Sequence, residues 1–308
     1  MEKIVQRVRS TTNSEALVSV AIITYNQKEF LRDCIESVLN QIYQNYEIIV
    51  SDDGSTDGTH EMLVEYEKKY PGKFNLVLST HNRGITKNHN AALSQCNGAF
   101  IAWIGGDDIM LPEKLLDQVE YMNKHDDCMI CYHDLEVFDS ASNKKLYLFS
   151  EKNKPRTGTV ETIISNGCFN GASSTMTRNN REVLFDARLP VASDWLFWVE
   201  LLVDGGRIGY INKTLGRYRR HDNNITSADR GENNAGIVDH FLSCSIISVK
   251  YPQHMKKVLK SYSRLYLALR HIPGNYFNAI FLSLRSFPSF RVLFVLCLYL
   301  LTFGSIKP

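Results

Sequence analysis

Between positions 240 and 308 there is no aspartate and no glutamate, although the same stretch carries nine lysines and arginines. The remainder of the 308 residues then holds 26 basic against 33 acidic groups, a net of −7 that the overall +2 conceals. An acidic body with a basic tail suits a tail that meets an anionic surface. Long apolar runs are also missing. The longest near the end, Val292 to Phe303, would make a helix of about 18 Å against a hydrocarbon core of about 30 Å, too short to span. Residues 1–16 are polar and mixed in charge, without the apolar centre of a secretory signal, so none is expected. The seven cysteines form no secreted-type framework. Cys128 and Cys131 make a lone Cys-x-x-Cys with no second pair, and their apolar surroundings read as buried thiols rather than a zinc site. Neither Gly-x-Gly-x-x-Gly after the first apolar run nor a P-loop pattern occurs, which argues against dinucleotide dehydrogenases and P-loop enzymes.

What the chain does contain is organised around Ala99 to Lys114. The apolar run Phe100–Ile104 reads as a buried strand and ends in Gly105, Gly106, Asp107 and Asp108, after which Pro112 opens a helix. Adjacent carboxylates repel, and a divalent cation held by oxygen ligands relieves that repulsion; a solvated turn is the other reading, since aspartate is common in turns.

Upstream, strands are expected at 17–23, 46–51 and 74–79, with helices at 28–40, 56–70 and 85–96. This alternation defines an α/β fold with a mostly parallel, doubly wound sheet. Beyond Pro112 the spacing predicts strands at 128–138, 145–149 and 173–177, helices at 160–166 and 194–203, and one or two short strands within 207–220. From about Gly231 the chain is helical. Three regions follow: a polar extension 1–16, a body 17–230, and a helical, basic and apolar extension 231–308. The last suits a helix in the membrane interface, with packing on the core as the alternative; its apolar content fits lipid better than nucleic acid.

Acidic turns thus stand at Asp52/Asp53, Asp107/Asp108 and Asp194, the edge where α/β sheets bind ligands. Thr24-Tyr-Asn26, Asp52-Asp-Gly-Ser-Thr-Asp57, Asn82-Arg-Gly-Ile85 with Asn90-Ala-Ala-Leu93, Gly106-Asp-Asp108 with Leu111-Pro-Glu-Lys-Leu115, Ser193-Asp-Trp195 and Tyr218-Arg-Arg-His221 follow in order. Over residues 17–225 the chain resembles the family 2 glycosyltransferases. The resemblance implies a GT-A-type fold and an inverting transfer from a nucleotide sugar, a UDP-sugar foremost, with Mn²⁺ or Mg²⁺. The acceptor would be a glycan or a polyprenyl-diphosphate-linked sugar, at the cytoplasmic face of an anionic membrane.

Carried onto these positions, Thr24, Tyr25 and Asn26 would border the base, and Asp53, backed by Asp52, would read its edge. Arg83 and Lys87 would lie near the nucleotide or its phosphates. Asp107 would touch donor and metal, with Asp108 and His221 as further metal ligands. The chain departs from the family at Gly105, where a leading aspartate is usual, which leaves the metal on Asp107 and Asp108. Asp194 would be the base, its pKa raised by Trp195 and Trp198; a helix N-cap is the alternative role for it. Two other classes are weighed, a nucleotidyltransferase and a non-catalytic sugar-nucleotide scaffold. The first lacks its glycine-rich loop, and the second is at odds with retention of Asp53, Asp107, Asp108 and Asp194. Three further assignments are open or peripheral. His133-Asp134 is either a donor contact or a core pair, His81 and His89 are expected at the surface or in loops, and Trp195, Phe197 and Trp198 form a sugar platform or core.

Overall fold

The computed structural model describes residues 16–301 apart from 190, 192, 223, 225–234 and 273. Nearly all of the polar extension and the boundary near residue 230 therefore lie outside the described residues.

The first half alternates as its hydrophobic pattern requires: β1 (Val18–Thr24), α1 (Lys28–Leu39), β2 (Tyr46–Asp52), α2 (Thr59–Lys69), β3 (Phe74–Leu78), α3 (Ile85–Gln95) and β4 (Phe100–Gly105). Strands β1, β2 and β4 are buried on both faces, as parallel strands covered by helices are, while β3 is the part-exposed edge. Val18, Val20 and Ile22 face one core with Leu31, Ile35 and Leu63, whereas Ala21, Ile49 and Trp103 face the other. In α1 the spacing of Leu31, Cys34, Ile35 and Val38 makes a single buried stripe.

The second half comprises β5 (Ile109–Met110), α4 (Lys114–Lys124), β6 (Cys128–Asp139), β7 (Lys145–Leu148), α5 (Phe149–Lys152), α6 (Val160–Asn166), β8 (Thr175–Arg178), α7 (Ser193–Leu202) and β9 (Arg207–Arg220). All nine strands belong to one sheet of order β3-β2-β1-β4-β8-β6-β9-β5, with β7 on β6. The pairs among β1 to β4 are parallel, β8 runs antiparallel to β4 and β6, and β9 runs parallel to β6. The register sets Thr24 opposite Asp52 and Ile23 opposite Gly105, so three strand ends share one edge.

Local differences from the sequence reading have physical causes. Residues 207–220 form one long strand, because β6 offers a partner along its whole length. Strand β5, only two residues long, is too short to show a period. Pro112 sits in the turn before α4 rather than at its first position, and residues 172–174 form a 3₁₀ turn ahead of β8.

Four helices follow: α8 (Ala235–Lys250), α9 (Met255–Ala268), α10 (Tyr276–Ser286) and α11 (Phe290–Leu301). Cys244, Ile247 and Val258 join the core that contains Trp195, Phe197 and Trp198, so α8 and α9 complete one layer of the body. The aromatic triad of α7 is core and not a surface platform. Helices α10 and α11 instead share a small cluster of Tyr276, Ile280 and Val292. Beyond it Phe290 is 93% and Phe294 67% exposed. Among the described residues no helix is long and apolar enough to cross a membrane.

Candidate active site

At the ends of β1 and β2 a lattice of hydrogen bonds fixes two loops against each other. Asn26, in the left-handed region with φ of 52°, accepts from the Thr56 N–H at 2.8 Å through its side chain, and its own N–H donates to the Ser55 hydroxyl at 2.7 Å. The carbonyl of buried Thr24 accepts from the Asp53 N–H at 3.1 Å. Asp52 is fully buried and turned inward: it accepts from the Gly54 and Ser55 N–H groups and from the Ser55 hydroxyl, and it meets His60 Nε2 at 2.5 Å. Gly54, with φ of +78°, is required there, since a Cβ would stand 2.6 Å from the His81 backbone. Asp53 accepts from the Arg83 N–H at 2.9 Å and the Gly84 N–H at 2.8 Å, which draws the start of α3 to the same place. Arg83 Nε lies 3.7 Å from Asp53, and its Nε and Nη2 are buried with no hydrogen-bond partner among the described residues. Tyr25 is 45% exposed at the rim, and Lys87 is exposed on the first turn of α3.

After β4 the two carboxylates diverge. Asp107 Oδ2 lies 3.1 Å from His221 Nε2 and accepts from Asn224 Nδ2 at 3.1 Å. The His221 ring rests against Phe30, with centroids 4.7 Å apart. Asp108 is buried, and both of its oxygens are engaged, one by the Ser173 hydroxyl and one by the Arg219 N–H at 2.9 Å. Burial, and then the Asp107 charge, push its pKa well above the carboxylate range. Each oxygen thus has one lone pair committed to the protein, and a metal at Asp108 would have to use the other. Gly105 donates its N–H to Ser173 Oγ at 3.0 Å, and a Cβ at 105 would meet Asp107 Oδ1 at 2.8 Å.

Among the described residues no three His, Cys, Asp or Glu side chains converge on a common point. Asp107 and His221 supply two donors, an oxygen and an imidazole nitrogen. That set fits Mn²⁺ better than all-oxygen Mg²⁺, with the remaining positions left for ligand oxygens and water.

Asp194 stands in the first turn of α7, half-buried. One oxygen accepts from the N–H of its own neighbour Trp195 at 2.8 Å, and the other lies 3.7 Å from Cys168 Sγ. The bond to the next residue differs from the N2 or N3 bond of an N-cap. Burial, then the Asp194 charge, push the Cys168 thiol well up, so it stays protonated.

Several residues that hold the site were given no role by the sequence reading. Arg219 donates from Nε to the Asp107 carbonyl at 2.8 Å and from Nη2 to Asp33 at 2.8 Å, with its plane over Phe30 and Phe138. Buried Lys114 donates to the Ser173 carbonyl at 2.7 Å, beneath the turn whose hydroxyl holds Asp108. Asn88 ties the β1 and β2 ends, donating to the Thr24 and Ser51 carbonyls and accepting from the Ser51 hydroxyl. Only the Tyr-Arg-Arg-His run and the Lys in Leu-Pro-Glu-Lys hinted at the first two. His89 is a correction: it lies on α3, half-buried and stacked on Phe185 at 4.6 Å, near Trp103, because the 185 loop covers that face of the helix; burial lowers its pKa. His133 and Asp134 do not pair side chain to side chain. Asp134 accepts from the Ser150 hydroxyl and N–H, while His133 Nδ1 meets the Asp134 carbonyl. His81 is exposed, and Cys128 and Cys131 are buried free thiols inside β6.

An α/β sheet with carboxylates and an imidazole gathered at the carboxyl edge of its strands is the class these features define. Residues 19–181 match the sequence model of glycosyl transferase family 2, and the chain belongs to that family. Among relatives, the putative teichuronic acid biosynthesis glycosyltransferase TuaG of Bacillus subtilis is 27% identical over 216 residues, covering 70% of this chain and 84% of that protein. The uncharacterized protein Rv1520 of Mycobacterium tuberculosis is 30% identical over 213 residues, which cover 68% of this chain but only 60% of that protein's length. Among solved structures, S. aureus TarS 1-349 in complex with UDP-GlcNAc superposes with a TM-score of 0.68 at 17% identity, covering 94% of this chain and 88% of that one. The mannosyltransferase PcManGT of Pyrobaculum calidifontis, in complex with GDP-Man and Mn²⁺, gives 0.63 at 15% identity, covering 96% and 85%. At these identities the two structures establish the shared GT-A fold.

Proposed function

We propose that the protein is an inverting, divalent-metal-dependent glycosyltransferase that moves a sugar from a UDP-sugar to a glycan or polyprenyl-diphosphate-linked acceptor in surface polysaccharide synthesis. The observation that carries this reading is the approach of Asp107 to His221 at the strand edge that also holds Asp53 and Arg83. The unpartnered nitrogens of Arg83 are suited to a phosphate or ribose oxygen, and the exposed Tyr25 ring to one face of the base. TuaG's teichuronic acid assignment and the nucleotide sugars bound by TarS and PcManGT support the substrate class.

Asp107 and His221 would hold the cation, which when bound neutralises charge building on the diphosphate leaving group. Asp194 takes the proton of the acceptor hydroxyl. That oxygen then bonds to the anomeric carbon as the bond to the diphosphate oxygen breaks on the opposite face, inverting the centre. Cys168, protonated, donates weakly to Asp194 and leaves its outer lone pairs for the acceptor. We place the enzyme at the inner face of the cell membrane, held by the exposed phenylalanines of α10 and α11 and the basic residues around them.

The reading is tested by incubating the purified chain with a panel of UDP-, GDP- and TDP-sugars and Mn²⁺, and following nucleoside diphosphate release. Release from one donor that stops in EDTA supports it. Formation of a nucleotide sugar from a nucleoside triphosphate and a sugar phosphate would instead identify a nucleotidyltransferase.

A further inference from the structure

The run Asn90-Ala-Ala-Leu93 follows the family pattern, and its asparagine reaches the chain ahead of Asp194 rather than the donor loops. The Asn90 amide binds the Phe185 backbone twice. Its Nδ2 donates to the Phe185 carbonyl at 2.8 Å, and its Oδ1 accepts from the Phe185 N–H at 2.9 Å. One turn earlier on the same face of α3, the buried Thr86 hydroxyl donates to the Leu189 carbonyl. His89 stacks its ring on that of Phe185. Buried Asp239 of α8 accepts from the Val191 N–H at 2.7 Å. Asp194 follows three residues later, in the first turn of α7.

These side chains do for the segment what a strand ladder does for a strand. Among the described residues 180–191 there is no helix or strand, and backbone bonds such as Leu189 N–H to the Asp186 carbonyl, at 2.9 Å, only close turns. Phe185 and Leu189 are buried, but apolar burial has no direction and fixes depth rather than register. The two-way amide bond and the Thr86 bond fix where along α3 the segment lies. Helix α3 is itself located from the donor side. The residues before it, Arg83 and Gly84, donate their N–H groups to Asp53, and Asn88 on its other face donates to the Thr24 and Ser51 carbonyls. One helix therefore joins the loops assigned to the nucleotide to the segment that delivers Asp194.

We propose that Thr86 and Asn90 are positioning residues for the transfer, which set the reach of Asp194 toward the acceptor hydroxyl from the same helix that closes on Asp53. The proposal rests on Asp194 being the base. A base misplaced by about 1 Å can lose about 10²-fold in rate. Neither side chain touches a reacting group, so the loss belongs in turnover and not in donor affinity.

The test uses the full chain and measures hydrolysis of the UDP-sugar that the donor panel selects, with water as the acceptor, alongside calorimetric titration with UDP and Mn²⁺. N90A and T86V should each lower kcat about 10–100-fold while the affinity for UDP stays within about twofold. T86S should recover most of the T86V loss, because its hydroxyl still meets the Leu189 carbonyl. In a D194N background N90A and T86V should have no further effect on the residual rate, since residues that act through Asp194 then have nothing left to position. A fall by the same factor in both backgrounds overturns the proposal, because the two residues then act elsewhere. Wild-type turnover in N90A and T86V also overturns it, because apolar packing then suffices to hold the segment. So does a T86V loss that T86S leaves unrecovered. Unaltered circular dichroism and UDP binding show that the variants fold, and if N90A does not, the T86V and T86S pair in both backgrounds decides. Failure of the base reading is separable: full hydrolysis by D194N, with α3 untouched, removes the base and the proposal with it.

Discussion

Asp107 Oδ2 and His221 Nε2 meet at 3.1 Å across 114 residues of sequence, from opposite ends of the second half of the fold. If this pair holds the cation, the two residues should fail together. Asp107→Asn and His221→Ala are each expected to lower turnover by about 10²–10³-fold, the usual effect of removing one electrostatic stabiliser of a leaving group. Each should also raise the Mn²⁺ concentration needed for half-maximal rate. Metal titrations of the initial rate check this, and an unchanged metal requirement in His221→Ala would remove it from the ligand set.

Asp108 should behave differently. Its removal strands the Ser173 hydroxyl and the Arg219 N–H, which it now accepts from. Asp108→Ala is therefore expected to cost about 1–3 kcal/mol of stability, the penalty for orphaned buried donors. Urea unfolding measures it. A variant as stable as wild type but inactive would return Asp108 to the metal.

For Asp194→Asn the expected pattern is loss of transfer by about 10²–10⁴-fold with donor affinity preserved, because a base acts on the acceptor alone. Parallel calorimetry with the nucleotide sugar and turnover assays separate the two effects. A variant retaining more than about a tenth of wild-type turnover points to another base.

How much of this site was legible beforehand depends on the range over which each residue's position is set. Thr24, Asp52 and Asp53 end apolar β-branched runs, so their place at a strand edge follows from local pattern. The register that aligns them with Gly105 follows once the strands pair. Asp107 and Asp108, adjacent and chemically identical, could not be told apart from sequence. What distinguishes them is Ser173 on one side and His221 on the other, both supplied by distant chain. Arg219 was similarly hidden inside a strand whose length is dictated by β6. His89 was misread because its burial comes from a loop nearly a hundred residues later, which no helical period reveals.

Lys114 offers a pH signature. Burial lowers its ammonium to about 7 from the ordinary 10.5. Between those values the unfolded chain keeps a proton that the folded chain has released, so this residue makes stability rise with pH across the window. The rise is up to about 1.4 kcal/mol per pH unit, flattening below the lower value and above the upper. Comparing wild type with Lys114→Met by urea unfolding near pH 7.5 and 9.5 isolates the contribution. Parallel gains in both proteins would mean that Lys114 stays charged when folded.

The last two helices should act as the attachment. Deleting residues 290–308 removes α11, where Val292 is the one buried side chain, so the body should unfold at nearly the same temperature. Sedimentation with phosphatidylglycerol vesicles should be lost in the truncated chain and, in the intact chain, weakened by salt. Each basic residue near an anionic leaflet contributes about 1 kcal/mol. A truncated chain that still sediments would move the contact elsewhere.

Arg219 also bears on how the protein comes into being. It reaches Asp33 across 186 residues and the Asp107 carbonyl across 112. Contacts between such distant positions form late, after the loop-closure cost of the intervening chain has been met. A chain emerging from the ribosome therefore has the loops from Thr24 to Arg83 long before it has β9. Until that strand docks, Asp107 stands without His221 and its loop without the guanidinium that anchors it. The half that carries Asp53 and Arg83 is written first, and the half that completes the Asp107 centre arrives only with the last strand of the sheet.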